Sequence, residues 1–159
     1  MNLSIKTGFN FGLTSAIITT IGLMVGLASG TSSKLVVIGG ILTIAIADAF
    51  SDALGIHISE ESRNSDEKTV WTATLVTFVT KFVFASIFII PVIFLNLLNA
   101  VVVSIIFGLV VLSILSYVIA KKRKSNPYKV ILEHLLIVVV VIVITYFVGQ
   151  FVNRYFNGY

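Results

Sequence analysis

Five stretches of mostly apolar residues, each about 20 long or longer, constrain this chain more than anything else in it. They run over 9–29, 35–56, 70–95, 100–120 and 130–152. A stretch of about 20 apolar residues is what a helix needs to cross the hydrocarbon core of a bilayer. A closed β-barrel is the other way to satisfy every backbone group in lipid. It requires alternating strands of about ten residues, and 135–144 reads LLIVVVVIVI with no alternation. The first stretch is too long for the apolar region of a signal peptide, although Lys6 flanks it. The expected fold is therefore all-α: a polytopic membrane protein of five transmembrane helices forming one domain over 1–159. Composition agrees, with 57% hydrophobic and only 11% charged residues, against roughly 25% charged in soluble domains. A soluble enzyme and a disordered chain are both excluded on this ground. There are no cysteines, so disulfides, thiolate metal sites and cysteine nucleophiles are excluded too.

The connections are short. Residues 30–34 join spans one and two, and 96–99 form a turn tight enough to force an antiparallel hairpin. The 57–69 connection holds Glu60, Glu61, Asp66 and Glu67, and the 121–129 connection is strongly basic. With five spans, Lys6, Arg63, Lys68, Lys121, Lys122, Arg123, Lys124 and Lys129 share one side. Lys34 and Arg154 lie on the other. The positive-inside rule then puts the N-terminus in the cytoplasm and the C-terminus on the opposite side. The basic connection reads first as a topology determinant; lipid or nucleic-acid binding is the alternative.

Ionisable groups inside a span cost about 2.5–3.5 kcal/mol each on insertion scales, so each one points to function. Span two has Asp48 and Asp52, span three has Lys81, and span five has Glu133 and His134 near its start. Asp48 and Asp52 are four apart and share a helix face. Two such carboxylates either share a proton or hold a cation between them, and hard divalent cations prefer oxygen ligands. Protonation and metal binding at the same oxygens is the chemistry of a proton-coupled cation transporter. The structural alternative pairs one aspartate with Lys81 and the other with a hydroxyl, for which Thr14, Ser15, Thr19, Thr20 and Ser51 are available. Lys81 is expected to meet Asp48 or Asp52, since an unpaired ammonium at that depth would shed its proton. It acts either as a fixed strut or as a competitor of the cargo. Glu133 is a candidate mouth ligand or a partner of Lys129 or Lys124. His134 and His57 are possible proton acceptors.

Gly22, Gly26 and Gly30 are spaced by four in span one, which lets helix backbones approach closely within the chain, between subunits, or both. Pro91 is expected to kink span three. Phosphate-binding Gly loops, His-Glu-x-x-His and Gly-x-Ser-x-Gly are all missing from the sequence, which argues against an enzyme.

Taken in order, several segments resemble the vacuolar iron transporter family. FGLTSAIITTIGLMVGL (11–27) is similar to the family's Phe-Gly-Leu-x-Asp-Gly-Ile-x-Thr-Thr-x-Gly opening. ADAFSDALGIHISEES (47–62) is similar to the end of its second span, Ala-x-Ser-Met-Gly-x-Gly-Glu-Tyr-x-Ser. Pro91 falls where its third span carries prolines. NPYKVILEHLLIVVVVIVITYFVGQFV (126–152) resembles its Asn-Pro-x-x-x-x-Leu-Glu-x-Leu-Leu-Ile-Gly ending in Tyr-x-x-Gly. The resemblance implies a homodimer of five-helix protomers that moves ferrous iron or manganese out of the cytosol in exchange for protons.

The chain departs from the pattern at several positions. The family's span-one Asp falls at Ser15 and its following Gly at Ala16. Its Met falls at Asp52, its Glu before Tyr at Ile56, and its Tyr at His57, while Glu133 matches the family's Glu. The 57–69 connection is too short for the Glu-rich metal-binding domain many members carry. On this basis Asp48, Asp52 and Glu133 are the expected metal residues and Lys81 and His134 the charge or proton partners. Thr14, Ser15, Thr19 and Ser51 are expected to line the path, and Gly22, Gly26 and Pro91 to shape helix packing. The partners expected are the lipid bilayer, a second copy and a metal cation, with no cofactor and no nucleic acid. The host is a plasma membrane if prokaryotic, or a vacuolar or other organelle membrane if eukaryotic. A non-transporting scaffold or accessory subunit, or a carrier of another cation or small solute, are the rival expectations.

Overall fold

A computed structural model describes residues 3–156. Its described residues form six helices and no strands: α1 (Leu3–Thr31), α2 (Lys34–Ser62), α3 (Glu67–Ile87), α4 (Ile89–Phe94), α5 (Leu97–Lys122) and α6 (Pro127–Phe156). Five helical segments are long and apolar enough to cross a membrane, α3 and α4 together making the third. At 29 residues, α1 and α2 each reach about 43 Å, the thickness of a bilayer with its headgroups.

The helices outrun the apolar stretches at nearly every end. The connection expected at 57–69 shrinks to 63–66, with Glu60 and Glu61 on α2 and Glu67 on α3. Polar residues continue a helix readily beyond the hydrocarbon, so hydropathy marks the slab and caps mark the helix. Asp66 caps α3, accepting from the Thr69 amide at 3.2 Å and from its hydroxyl at 2.6 Å. These two bonds hold the Asp66 carboxyl below its usual range. Asn96 caps α5 through the Asn99 amide at 2.9 Å.

Span three breaks at Phe88, between α3 and α4. Pro91 is the cause: it has no N–H to give the Ile87 carbonyl, and its ring crowds that carbonyl. The kink expected from sequence is thus a helix interruption three residues ahead of the proline.

α1 is the centre of the bundle. It packs against α2 and α3 on one side and against α5 and α6 on the other. Glycines make this possible at two stripes. A Cβ at Gly8 would sit 2.5 Å from the Ala73 carbonyl oxygen, and one at Gly12 would sit 2.7 Å from that of Thr77, so the first stripe faces α3. The second, Gly22, Gly26 and Gly30, faces α6 at Val141, Thr145 and Gly149. Around this seam Ser29 donates to the Tyr146 carbonyl at 3.2 Å and Asn153 to that of Gly30 at 2.7 Å. The close approach anticipated for Gly22 and Gly26 therefore occurs within the chain. It also extends to Gly8 and Gly12, which sequence inspection passed over.

Candidate functional site

Three helices meet at the polar cluster. Gly12 brings α3 against α1, and small residues on α2 (Ala45, Ala49 and Ala53, all buried) bring it close to both. Lys81 projects from α3 into this junction and is fully buried. Its Nζ donates to Ser15 Oγ on α1 at 2.7 Å and to Asp52 Oδ2 on α2 at 2.5 Å. It also makes an ion pair with Asp48 Oδ2, one turn along α2. That last contact lacks hydrogen-bond angles, which leaves Asp48 Oδ2 without a formal hydrogen bond although the ammonium lies against it. An ammonium has three N–H groups and no lone pair. Ser15 and Asp52 take two of them, and Asp48 adds a second negative charge against the ammonium.

Both aspartates are less enclosed than the lysine: the side chain of Asp52 is 17% exposed and that of Asp48 is 29% exposed. Asp48 closes one end of a groove of about 430 Å3 between α1 and α2, lined also by Thr19, Leu23, Gly40, Thr43, Ile44 and Ala47. Thr19 and Thr43 donate to carbonyls of their own helices, at 2.8 Å each, so their oxygens offer only acceptor capacity to the groove. The groove runs from Asp48 toward the start of α2, away from the 63–66 turn.

Other expected site residues lie elsewhere. Glu133 is exposed and 4.0 Å from Lys129, one turn back on α6, and does not join the aspartates. Among the described residues, no three His, Asp or Glu side chains converge. His134 Nδ1 lies 2.7 Å from Ser116 Oγ, which also donates to the Leu112 carbonyl. This ties His134 to α5, away from the cluster. Ser51 is exposed on α2 and, among the described residues, bonds to neither aspartate. Thr14 is half-buried and takes none of the Lys81 hydrogen bonds. Thr20, by contrast, is fully buried with its hydroxyl unpartnered among the described residues.

His57 belongs to a second, smaller group. Its Nδ1 lies 3.0 Å from Thr74 Oγ1, its Nε2 lies 3.4 Å from Glu61, and its ring meets Trp71 edge-on at 4.8 Å between centroids. Glu60 is buried and held by Arg63 at 3.2 Å and Ser65 at 2.8 Å. The acidic cluster at this end is thus partly a helix-end lock. Nothing in the one-dimensional spacing distinguished Glu60 from Glu61; burial does.

Five spans enclosing a carboxylate–ammonium cluster define an integral membrane protein. The profile of the VIT family, the vacuolar iron transporters, matches residues 56–150, well over half the chain, and the protein belongs to that family. The matched stretch contains Lys81, whereas Ser15, Asp48 and Asp52 lie before it. A search among individually curated proteins finds no match.

Proposed function

We propose that this protein carries a divalent metal cation, iron or manganese, out of the cytosol in exchange for protons, with the N-terminus cytoplasmic. One observation carries the proposal: Lys81 places a cationic group between two carboxylates within a bundle whose family transports metal ions. Carboxylate and hydroxyl oxygens from Asp48, Asp52 and Ser15 suit a hard divalent ion. With Lys81 charged and both aspartates ionised, the three side chains together carry one net negative charge; a divalent ion entering the same space meets the ammonium directly. Cargo and Lys81 therefore exclude one another, and the ammonium keeps the carboxylates satisfied when no metal is bound. Asp48, at the end of the open groove, is the one of the pair nearer the non-cytoplasmic side in this orientation, where exported metal would leave.

The test is uptake of manganese or ferrous iron by proteoliposomes under a pH gradient. Asp52→Asn preserves size and is expected to reduce metal uptake and metal binding to background while leaving the thermal transition in place. Unchanged metal affinity in this variant removes the aspartate pair from the mechanism. The rival, a non-transporting scaffold of the same fold, is favoured by Ser15 and Ile56 at acidic family positions and by Lys81 filling the site. It predicts no uptake by the wild type.

A homodimer is part of the same proposal. With the Gly22–Gly30 stripe used inside the chain, the free face of α2 is the better candidate for the interface. Gly39, Thr43, Ala47, Ser51 and Gly55 are exposed there at four-residue spacing, and a Cβ at Gly39 or Gly55 meets nothing within 4 Å. Gly55→Leu is expected to leave protomer stability unchanged and to shift the particle toward monomer in light scattering. An unchanged dimer rejects this face.

A further inference from the structure

Two turns lie at the same edge of the bundle, and they are built alike. At the end of α2, Asn64 N–H donates to the Glu61 carbonyl at 2.9 Å and Ser65 N–H to that of Glu60 at 3.2 Å, with Asn64 at φ 56°. At the end of α5, Lys124 N–H donates to the Lys121 carbonyl at 3.2 Å and Ser125 N–H to that of Ala120 at 3.0 Å, with Lys124 at φ 54°. Both are helix terminations whose pivotal residue is left-handed, a place for Gly or Asn. The first turn uses Asn. The second uses Lys, whose Cβ is strained there.

Charge separates the two turns further. The first sets Glu60, Glu61, Asp66 and Glu67 against Arg63 and Lys68, and Arg63 is paired with Glu60. The second holds Lys121, Lys122, Arg123, Lys124 and Lys129 with no acid between them. All five are exposed. Lys129 reaches Glu133 at 4.0 Å, but Lys122, Arg123 and Lys124 have no acidic partner among the described residues. Lys121 turns back over the Tyr117 ring at 5.2 Å. Tyr117 is 43% exposed and Tyr128 84% exposed, so aromatic rings flank the turn at the depth where Tyr settles among headgroups. A turn that keeps a cation at a strained backbone position, with further unpaired cations beside it and tyrosines at its edges, fits an anionic surface lying in the plane of the membrane.

We propose that the α5–α6 turn is a docking surface for the phosphate headgroups of anionic phospholipids. Lys122, Arg123 and Lys124 supply the charge, and Tyr117 and Tyr128 set the depth. Each basic residue near such a surface strengthens binding by about fivefold, and salt weakens it.

The test uses the full-length protein in nanodiscs of phosphatidylcholine containing a minor fraction of phosphatidylglycerol. Lipid retained by the protein is counted by native mass spectrometry. Wild type is expected to enrich phosphatidylglycerol, and the enrichment falls as salt rises. Lys124→Gly lowers it about fivefold while raising the melting temperature, because glycine relieves the strained φ. Replacing Lys122, Arg123 and Lys124 together with Gln removes the enrichment, with the melting transition retained as the check on folding. Equal retention in wild type and both variants overturns the proposal, since a purely structural or topological role predicts that result. Inorganic phosphate binding to the detergent-solubilised protein as tightly as the lipid, or tighter retention of a short RNA, overturns it as well.

Discussion

Lys81→Met is expected to destabilise the protein by about 3–5 kcal/mol, the range for stripping one partner from a buried ion pair. The ammonium is fully buried and serves three groups at once: Ser15, Asp48 and Asp52. Methionine fills much of the stem's volume, so little of the loss comes from a cavity. The cost arises from two carboxylates left without their counter-ion in a setting of low polarity. Neutralising them should therefore restore stability. Lys81→Met combined with Asp48→Asn and Asp52→Asn is expected to recover most of the loss, a coupling that independent sites would not show. Equilibrium unfolding in mixed micelles measures both variants. If the single variant is as stable as wild type, or the triple variant as unstable as the single, the cluster does not contribute as described.

The second large effect is expected at Gly12. A Cβ there would lie 2.7 Å from the Thr77 carbonyl oxygen and 3.3 Å from the Lys81 amide nitrogen. Both are backbone atoms of α3 and cannot rotate aside. Gly12→Val must push α1 and α3 apart, and overpacking of this kind typically costs about 1–3 kcal/mol, occasionally more. The displacement also carries Lys81 away from Ser15, so the variant is expected to lose metal uptake along with stability. A Gly12→Val protein with wild-type melting and uptake would show that α1 and α3 need not touch at this level.

The lysine–aspartate contact was visible in the sequence because the chemistry allowed few alternatives. Lys81 is the only basic residue deep inside a span, and Asp48 and Asp52 are the only acids at comparable depth. The pairing of Ser15 with Lys81 was not visible: the span-one hydroxyls were read as partners for an aspartate, and Thr14, Thr19 and Thr20 were as available as Ser15. The rotation of α1 against α3 chooses among them, and Gly8 and Gly12 set that rotation. Glu133 had two readings open from sequence, a mouth ligand or a partner of Lys129 or Lys124. With α6 packed on α1 and α5, Glu133 is exposed, 4.0 Å from Lys129 and apart from the aspartates.

The number of spans, the break near Pro91 and the acids that require a counter-ion were determined by sequence alone. Each depends on a local quantity: the length of an apolar run, a missing N–H, or a charge that cannot remain bare in lipid. Which helix sits at the centre, which glycines touch α3 and which touch α6, and which hydroxyl joins Lys81 were decided by the tertiary structure. In water, an amphipathic stripe marks the buried face of a helix. In a bilayer, lipid tails are as apolar as the protein interior, so hydrophobicity does not distinguish the packed face from the lipid-facing one. That choice falls to close-range fit, such as the backbone approach of Gly149 to Gly26 and Gly30, which exists only once the helices are together.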